Sequence, residues 1–382
     1  MKPLRLRGSM SRNNQYLIIS QSGRALASSA KRAGIDVHVI DLFADEDTVE
    51  NTLSNTSVTG FSGGNNSEVL IDVVAEYVSK NPELCVVIGS GLEQCPELLT
   101  QLEQRFSVIG NHSSVVRQLK DPSVFFRKLE ELTLPYPEYI TGVTQEFSGD
   151  FLVKTVGATG GGHVRLYKND QSLIATSYLQ ALLRGKNYSA TFIADGQSFH
   201  VLGFNETWVC QENSDFTFAG AVSNVSLPDE LCQQVIAAIR RLVTLFKIKG
   251  LCSLDFIVDT SGQYFILEVN PRPTATFELY ETKGGLFAQH IAAFQGKMTE
   301  PELDQSLTRG LGLLYAGKSI TIPRLDWPEW VTDRPKAGKH ITKGEPVCTV
   351  HAEGRDVENV KQQLKTRLAK LRELLGFIVE AA

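Results

Sequence analysis

The chain has 382 residues, 42% of them apolar and 21% charged, with a formal net charge of −5. That balance describes a folded protein of two or three packed units and excludes a general nucleic-acid binder, which would carry a basic surplus or stripe. No apolar run reaches the roughly 18 residues needed to cross a bilayer, so no membrane role is expected.

The basic start "MKPLRLRGSM" precedes only a short apolar run, "YLIIS", which is too brief for a secretory signal. These residues read as a disordered leader, an alternative start ahead of Met10, or an appended remnant. Cys85, Cys95, Cys210, Cys232, Cys252 and Cys348 form no C-x-x-C pair, which leaves no zinc site. Reduced, buried thiols in a cytoplasmic protein are expected.

The first third alternates strand and helix. "QYLIIS" and "IDVHVIDLF" flank the helix "ALASSAKRAG", closed by Gly34, and form a β-α-β unit that implies a parallel sheet. The helix "SEVLIDVVAEYVSK" and the strand "LCVVIG" follow. The loops "QSGR" and "GSGLE" each sit just after a strand, where ligands collect on open α/β sheets. Neither is a G-x-G-x-x-G, and simple tight turns explain them equally well.

Near Lys120 the texture changes. "DPSVFFRKLEEL" predicts a helix with Pro122 in its first turn, broken by "LPYPEY". Strands follow in "FLVKTV", "HVRLY", "YSATFIAD" and "SFHVLGF", then a long helix, "PDELCQQVIAAIRRLVTLFKI". Its Leu231, Val235, Ala238, Ile239, Leu242 and Leu245 form a core-facing stripe. After about Gly310 come the strand material "GKHITKGEPVCTVHAEG" and an amphipathic helix carrying Val357, Val360, Leu364, Leu368, Leu371 and Leu375 on one side. That helix packs against its own chain by default; a basic opposite face leaves a partner-binding role open.

The segment "SLDFIVDTSGQYFILEVNPRP" reads as a hairpin turning at Ser261–Gly262. Asp259 then faces Tyr264, Ile257 faces Ile266 and Asp255 faces Glu268. Leu254, Phe256, Val258, Phe265, Leu267 and Val269 share the apolar side; Ser253, Asp255, Glu268 and Asn270 share the other. Two carboxylates set opposite each other destabilise a sheet and resist joint ionisation. A divalent cation removes both penalties, and two acids with an amide oxygen suit Mg²⁺. A surface hairpin whose acids are solvated or paired with Arg272 remains the bland alternative, and a glycosidase-type acid pair a weaker one.

"GATGGG", residues 157–162, lies between two strands and follows Lys154. It is not a P-loop. Glycines there let backbone amides approach phosphate oxygens, and Lys154 reaches the same place as a point charge. A flexible hairpin is the plain alternative. Lys154 and the acid hairpin are more telling together, because nucleotide chemistry needs phosphate donors and Mg²⁺.

In this order of parts the chain resembles the ATP-grasp enzymes over roughly residues 15–310. The resemblance implies an α/β and α+β protein with the ATP-grasp fold: a Rossmann-like domain at 12–118, a lid at 119–188, a central domain with the metal hairpin at 189–310, and a small C-terminal module at 311–382. It implies that Asp255, Glu268 and Asn270 hold Mg²⁺ (with Mn²⁺ as an alternative) against ATP, and that Arg272 steadies the transferred phosphoryl group. Lys154, Lys120 and the amides of Gly160, Gly161 and Gly162 would take the phosphates. Gln180 and the backbone of Leu182 and Leu183 would clamp adenine. Two features depart from the family pattern: Gln180 stands where a Glu is common, and Lys120 is followed by Asp121 rather than preceded by one.

The activity so implied is a carboxylate–amine (or thiol) ligase that works through an acyl phosphate, with a small acid and an amine acceptor as partners and homo-oligomerisation left open. Bicarbonate activation by a carboxylase-like enzyme and non-catalytic ATP binding are the alternatives. Residues 22–48 and "GSGLEQCPELL" resemble ATP-grasp proteins of tetrahydromethanopterin- and methanofuran-type one-carbon cofactor synthesis.

Overall fold

A computed structural model describes residues 15–142, 149–168, 174, 176–210, 216–304 and 306–377. The basic start lies outside them.

The first elements are β1 (Tyr16–Ile19), α1 (Arg24–Arg32), β2 (Val37–Asp41), α2 (Glu46–Glu50), β3 (Ser54–Ser57), α3 (Asn66–Lys80), β4 (Cys85–Ile88), α4 (Pro96–Arg105) and β5 (Val108–Ile109). Their strands form a parallel sheet in the order β3-β2-β1-β4-β5. β1 and β4 read as unbroken apolar runs because helices cover both faces of such a sheet; Leu17, Ile18 and Ile19 are fully enclosed. The edge strand β3, Ser-Asn-Thr-Ser, has no apolar residue and escaped prediction; only its pairing with β2 defines it. Strand order reverses between β1 and β4, which opens a crevice at their carboxyl ends. There the two predicted loops meet: the Gln21 amide donates to the Ser90 carbonyl at 2.7 Å.

α5 (Ser113–Lys120) and α6 (Pro122–Glu131) lead to a small antiparallel sheet of β6 (Tyr139–Ile140), β7 (Phe151–Thr155), β8 (Arg165–Leu166) and β9 (Ser177–Ala181), ordered β6-β9-β7-β8. Asp121 caps α6, its carboxylate accepting from the amides of Ser123 and Val124, with Pro122 in the first turn.

The rest comprises β10 (Gly185–Asp195), β11 (Phe199–Cys210), β12 (Thr217–Val222), α7 (Asp229–Phe246), β13 (Lys249–Asp259), β14 (Tyr264–Asn270), α8 (Leu286–Phe294), β15 (Thr308–Tyr315), β16 (Ile320–Thr321), β17 (Val331–Thr332), β18 (His340–Ile341), β19 (Pro346–Gly354) and α9 (Val357–Leu374). A large antiparallel sheet runs β14-β13-β10-β11-β12-β15-β19-β17, so strands beyond residue 310 continue the sheet that carries the acid hairpin. α7 buries Leu231, Val235, Ala238, Ile239 and Leu242, as the stripe predicts, but adds Val243 and Phe246; Leu245 is 41% exposed. α9 lays Val360, Leu364 and Leu371 against Leu314 and Val350 in one cluster, so its apolar side is covered by its own chain.

Arg24, at the start of α1, ties three regions together. Its guanidinium pairs with both carboxylate oxygens of Glu278 and with Asp333, whose two oxygens each lie at 3.1 Å. Asp47 accepts the amides of Asp333 and Arg334, each at 2.9 Å. Beside them burial pushes Asp45 up to about 7, although Lys339 at 3.6 Å pulls the other way. An acid that holds its proton more tightly when folded makes the unfolded chain bind fewer protons between its two pKa values, so stability falls as pH rises through that window. Unfolding free energy should drop by on the order of a few kcal/mol between pH 4 and pH 7. Denaturant titrations across that range should show the slope, and Asp45→Asn should make it shallower.

Candidate active site

The hairpin of β13 and β14 brings its acids together by a route different from the predicted one. Asp259 and Gln263 close a three-residue loop in which Gly262 takes φ +87°, a left-handed conformation natural to glycine. Asp259 Oδ1 accepts from the Ser261 amide and hydroxyl and from the Gln263 amide, at 2.7–3.0 Å. This loop pairs Val258 with Tyr264 and Phe256 with Ile266, one residue out of the expected register. A bulge at Leu267 then takes up the extra residue, and Asp255 faces Glu268 after all. Tyr264 and Ile266 therefore join Leu254 and Phe256 in the core, in place of the predicted Phe265 and Leu267. Leu267 instead lines the cavity.

Asp255 Oδ1 accepts from the Ser253 hydroxyl at 3.2 Å, and Oδ2 from Asn270 Nδ2 at 2.9 Å. Asn270 thus turns its oxygen the other way, towards Lys120. Lys120 Nζ lies 3.0 Å from both Glu268 Oε2 and Asn270 Oδ1. Burial, reinforced by Glu268, raises Asp255 well above the usual carboxylate range. Burial would also raise Glu268, but Lys120 and Lys154 overcome it and hold that carboxylate low. A cation bound between the two acids would remove the repulsion that raises Asp255.

Lys154 on β7 donates to Gln180 Oε1 on β9 at 3.1 Å. Burial opposes its charge, but Tyr178, Glu268 and Asp255 keep its ammonium more basic than an ordinary lysine. Gln180 is 1% exposed, and its Nε2 is buried without a partner among the described residues. The Leu182 amide is taken by the Asp150 carbonyl at 2.8 Å.

The glycine loop folds back over the cavity. The Phe218 amide donates to the Gly160 carbonyl at 3.0 Å, and a Cβ on Gly161 would stand 1.9 Å from the Phe216 carbonyl oxygen. Gly161 therefore lies directly on the backbone leading into β12. Gly157 packs on the other side, against the Glu93 carbonyl. Glu93, in the short 3-10 turn Leu92–Gln94 after β4, pairs with Arg272 and also accepts the Gly91 amide at 2.7 Å. Burial works to raise Glu93, yet Arg272 and Lys120 hold it below the usual range.

One cavity of about 990 Å³ joins these parts. Its lining includes Gln180, Leu182 and Leu183 in and just after the lid strand β9, Lys154, Gly160 and Gly161 from β7 and the glycine loop, a floor of Asp255, Glu268, Asn270 and Arg272 from the hairpin and the turn after it, and Ser22 and Ser90 from the loops of the parallel-sheet domain. Lys120 also lines it; Gly162 does not, although it adjoins Thr217. The expected site residues otherwise share one space. Two contributions were missed from the sequence: Glu93 as the partner of Arg272, and Lys120 as a clasp on the acids. The position of Glu93 just after a strand end was the available signal for the first; nothing local pointed to the second.

Among the described residues no three His, Cys, Asp or Glu side chains come together as a metal cluster. The floor offers two carboxylates and one amide oxygen, which suits a hard ion completed by substrate phosphates rather than a self-sufficient cage. An ammonium 3.0 Å from both Glu268 and Asn270 marks a place where this floor accepts positive charge. The donor set fits Mg²⁺. Among the described residues no helix is long and apolar enough to cross a membrane.

These parts, a parallel-sheet domain, a small antiparallel lid and a large sheet bearing the acid hairpin, are those of the ATP-grasp fold. Residues 120–276 match the family model of the ATP-grasp domain. That segment, which spans the lid and the acid hairpin, is therefore an ATP-grasp domain by similarity. It is 25% identical over 367 residues to an uncharacterized protein of Methanocaldococcus jannaschii, covering 91% of this chain and 90% of that one. It is 22% identical over 228 residues to a D-alanine–D-alanine ligase of Francisella tularensis subsp. novicida, covering 54% and 75%. Among solved structures it resembles the biotin carboxylase domain of 2-oxoglutarate carboxylase from Hydrogenobacter thermophilus, determined with MgADP, ADP and bicarbonate. That likeness has a TM-score of 0.72 at 14% identity and covers 92% of this chain and 88% of that one.

Proposed function

We propose that the protein is an ATP- and Mg²⁺-dependent carboxylate–amine ligase that works through an acyl phosphate. The observation that carries this reading is the single cavity lined by a half-buried Lys154, a docked glycine flap and the acid hairpin together. Asp255, Glu268 and Asn270 would hold Mg²⁺, which supplies charge neutralisation for the phosphates. Lys154 and Lys120 add positive charge on two sides, and Arg272, fixed by Glu93, is placed to steady the group in transit. The terminal phosphoryl group passes to a carboxylate oxygen of the acid. The amine then attacks the activated carbonyl, loses a proton, and phosphate departs. A closed flap keeps water from hydrolysing the intermediate.

The part of the cavity lined by Ser22 and Ser90, from the loops of the parallel-sheet domain, is the proposed seat of the acid and acceptor. The resemblance of residues 22–48 supports a narrower reading, amide formation in tetrahydromethanopterin- or methanofuran-type cofactor synthesis. An ADP-release screen over acids and amines tests both, with glutamate, aminomethylfuran-type and pterin acceptors included and product masses measured. A new amide with stoichiometric ADP is the expected result. ADP formed with bicarbonate alone as the acid would move the protein to the carboxylase reading.

The flap gives a separate expectation. A methyl group on Gly161 meets backbone rather than a yielding side chain, at a φ of +77° that side chains rarely adopt. Gly161→Ala should lower turnover roughly ten- to a hundredfold through lost alignment and water exclusion. Its thermal midpoint should stay near wild type, because the flap lies outside the main cores.

A further inference from the structure

Among the described residues, two polar atoms in the cavity lining are buried without a hydrogen-bond partner, Gln180 Nε2 and His163 Nδ1. Gln180 belongs to the proposed adenine end. His163 lies elsewhere, where the flap returns towards β8, and nothing above gives it work to do.

Its position is fixed by the docked flap. The Val164 amide closes the turn onto the Gly161 carbonyl at 3.0 Å, while Gly160 and Gly161 are seated on the backbone at Phe216 and Phe218. The charged groups that act on the ring come from three separate elements: Lys154 from β7, Lys120 from α5 and Glu268 from β14. On the reading above, Lys154 takes phosphates and the hairpin holds the cation, so the terminal phosphoryl group lies between them. His163 lines that same cavity and feels the charges of both Lys154 and Glu268.

Burial and Lys154 push the imidazole below its ordinary value, with Glu268 and a hydrogen bond to the Thr159 backbone opposing them. Phosphate oxygens are pure acceptors, and negative charge arriving beside the ring favours a proton on Nδ1. We propose that His163 is the flap's side-chain contact to the terminal phosphoryl group of the nucleotide, so that a triphosphate closes the flap more firmly than a diphosphate. The proposal rests on the nucleotide reading of the cavity. His163 makes and breaks no bond; it recognises the group that is transferred.

The test is calorimetric binding of a β,γ-imido ATP analogue and of ADP, each with Mg²⁺, to the full chain as wild type, His163→Leu and His163→Gln. A hydrogen bond to a charged oxygen corresponds to roughly a ten- to hundredfold change in Kd. His163→Leu should weaken the analogue by that factor and leave ADP within about twofold of wild type, which also shows that the variant is folded. His163→Gln, which keeps a donor, should recover part of the preference. Equal weakening of both nucleotides, or of neither, overturns the role of His163. Wild-type protein that binds neither nucleotide overturns the nucleotide reading itself.

Discussion

Glu268→Gln is expected to lower ATP turnover on the order of a thousandfold while leaving the fold intact. The substitution keeps shape and removes one negative charge from a floor where Lys120 sits 3.0 Å away and Lys154 acts on the same carboxylate. Two ammonium groups then outweigh Asp255 alone, and a divalent ion loses both a ligand and a favourable field. Stability should fall only in part, because relief of Asp255 from the neighbour that raises it offsets some of the lost pairing with Lys120. Turnover and Mg²⁺ titration on well-folded variant report the outcome. Normal ADP release would remove Glu268 from the metal site.

Arg272→Met should act on both stability and turnover. Glu93 has a side chain only 4% exposed and depends on Arg272 for its counter-charge. Removing one partner of such a pair leaves a buried charge uncompensated, at a cost of about 3–5 kcal/mol. Turnover should fall as well, since the guanidinium lines the floor beside Glu268 and Asn270. The two effects separate in the double variant Glu93→Gln/Arg272→Met, which should regain much of the stability and none of the activity. Recovery of turnover in the double variant would make Arg272 a structural partner of Glu93 and nothing more.

The hairpin shows how much of this was legible in the sequence. Alternation placed Asp255 opposite Glu268, and they do face each other, but two one-residue displacements had to cancel. Asp259 and Gly262 build a longer loop than Ser261–Gly262 alone, and the bulge at Leu267 restores the pairing. A pattern of period two cannot show either displacement, because the bulge answers to packing beneath the sheet. Lys154 and the glycines were readable because they lie close in sequence and share a hairpin. Lys120 and Glu93 were harder, since each meets the floor from a different part of the chain, 148 and 179 residues from its partner. The polar edge strand β3 was invisible for a similar reason: only its neighbour β2 makes it a strand.

The most direct test of the central claim follows ¹⁸O from the carboxylate of the acid that drives ADP release. Attack of a carboxylate oxygen on the terminal phosphoryl group carries that oxygen into the phosphate that departs when the amine attacks. One labelled oxygen in the released phosphate, with ADP as the nucleotide product, is the expected result. Label retained wholly in the acid and amide, or AMP and pyrophosphate as products, would contradict an acyl phosphate formed on the floor of Asp255, Glu268 and Asn270.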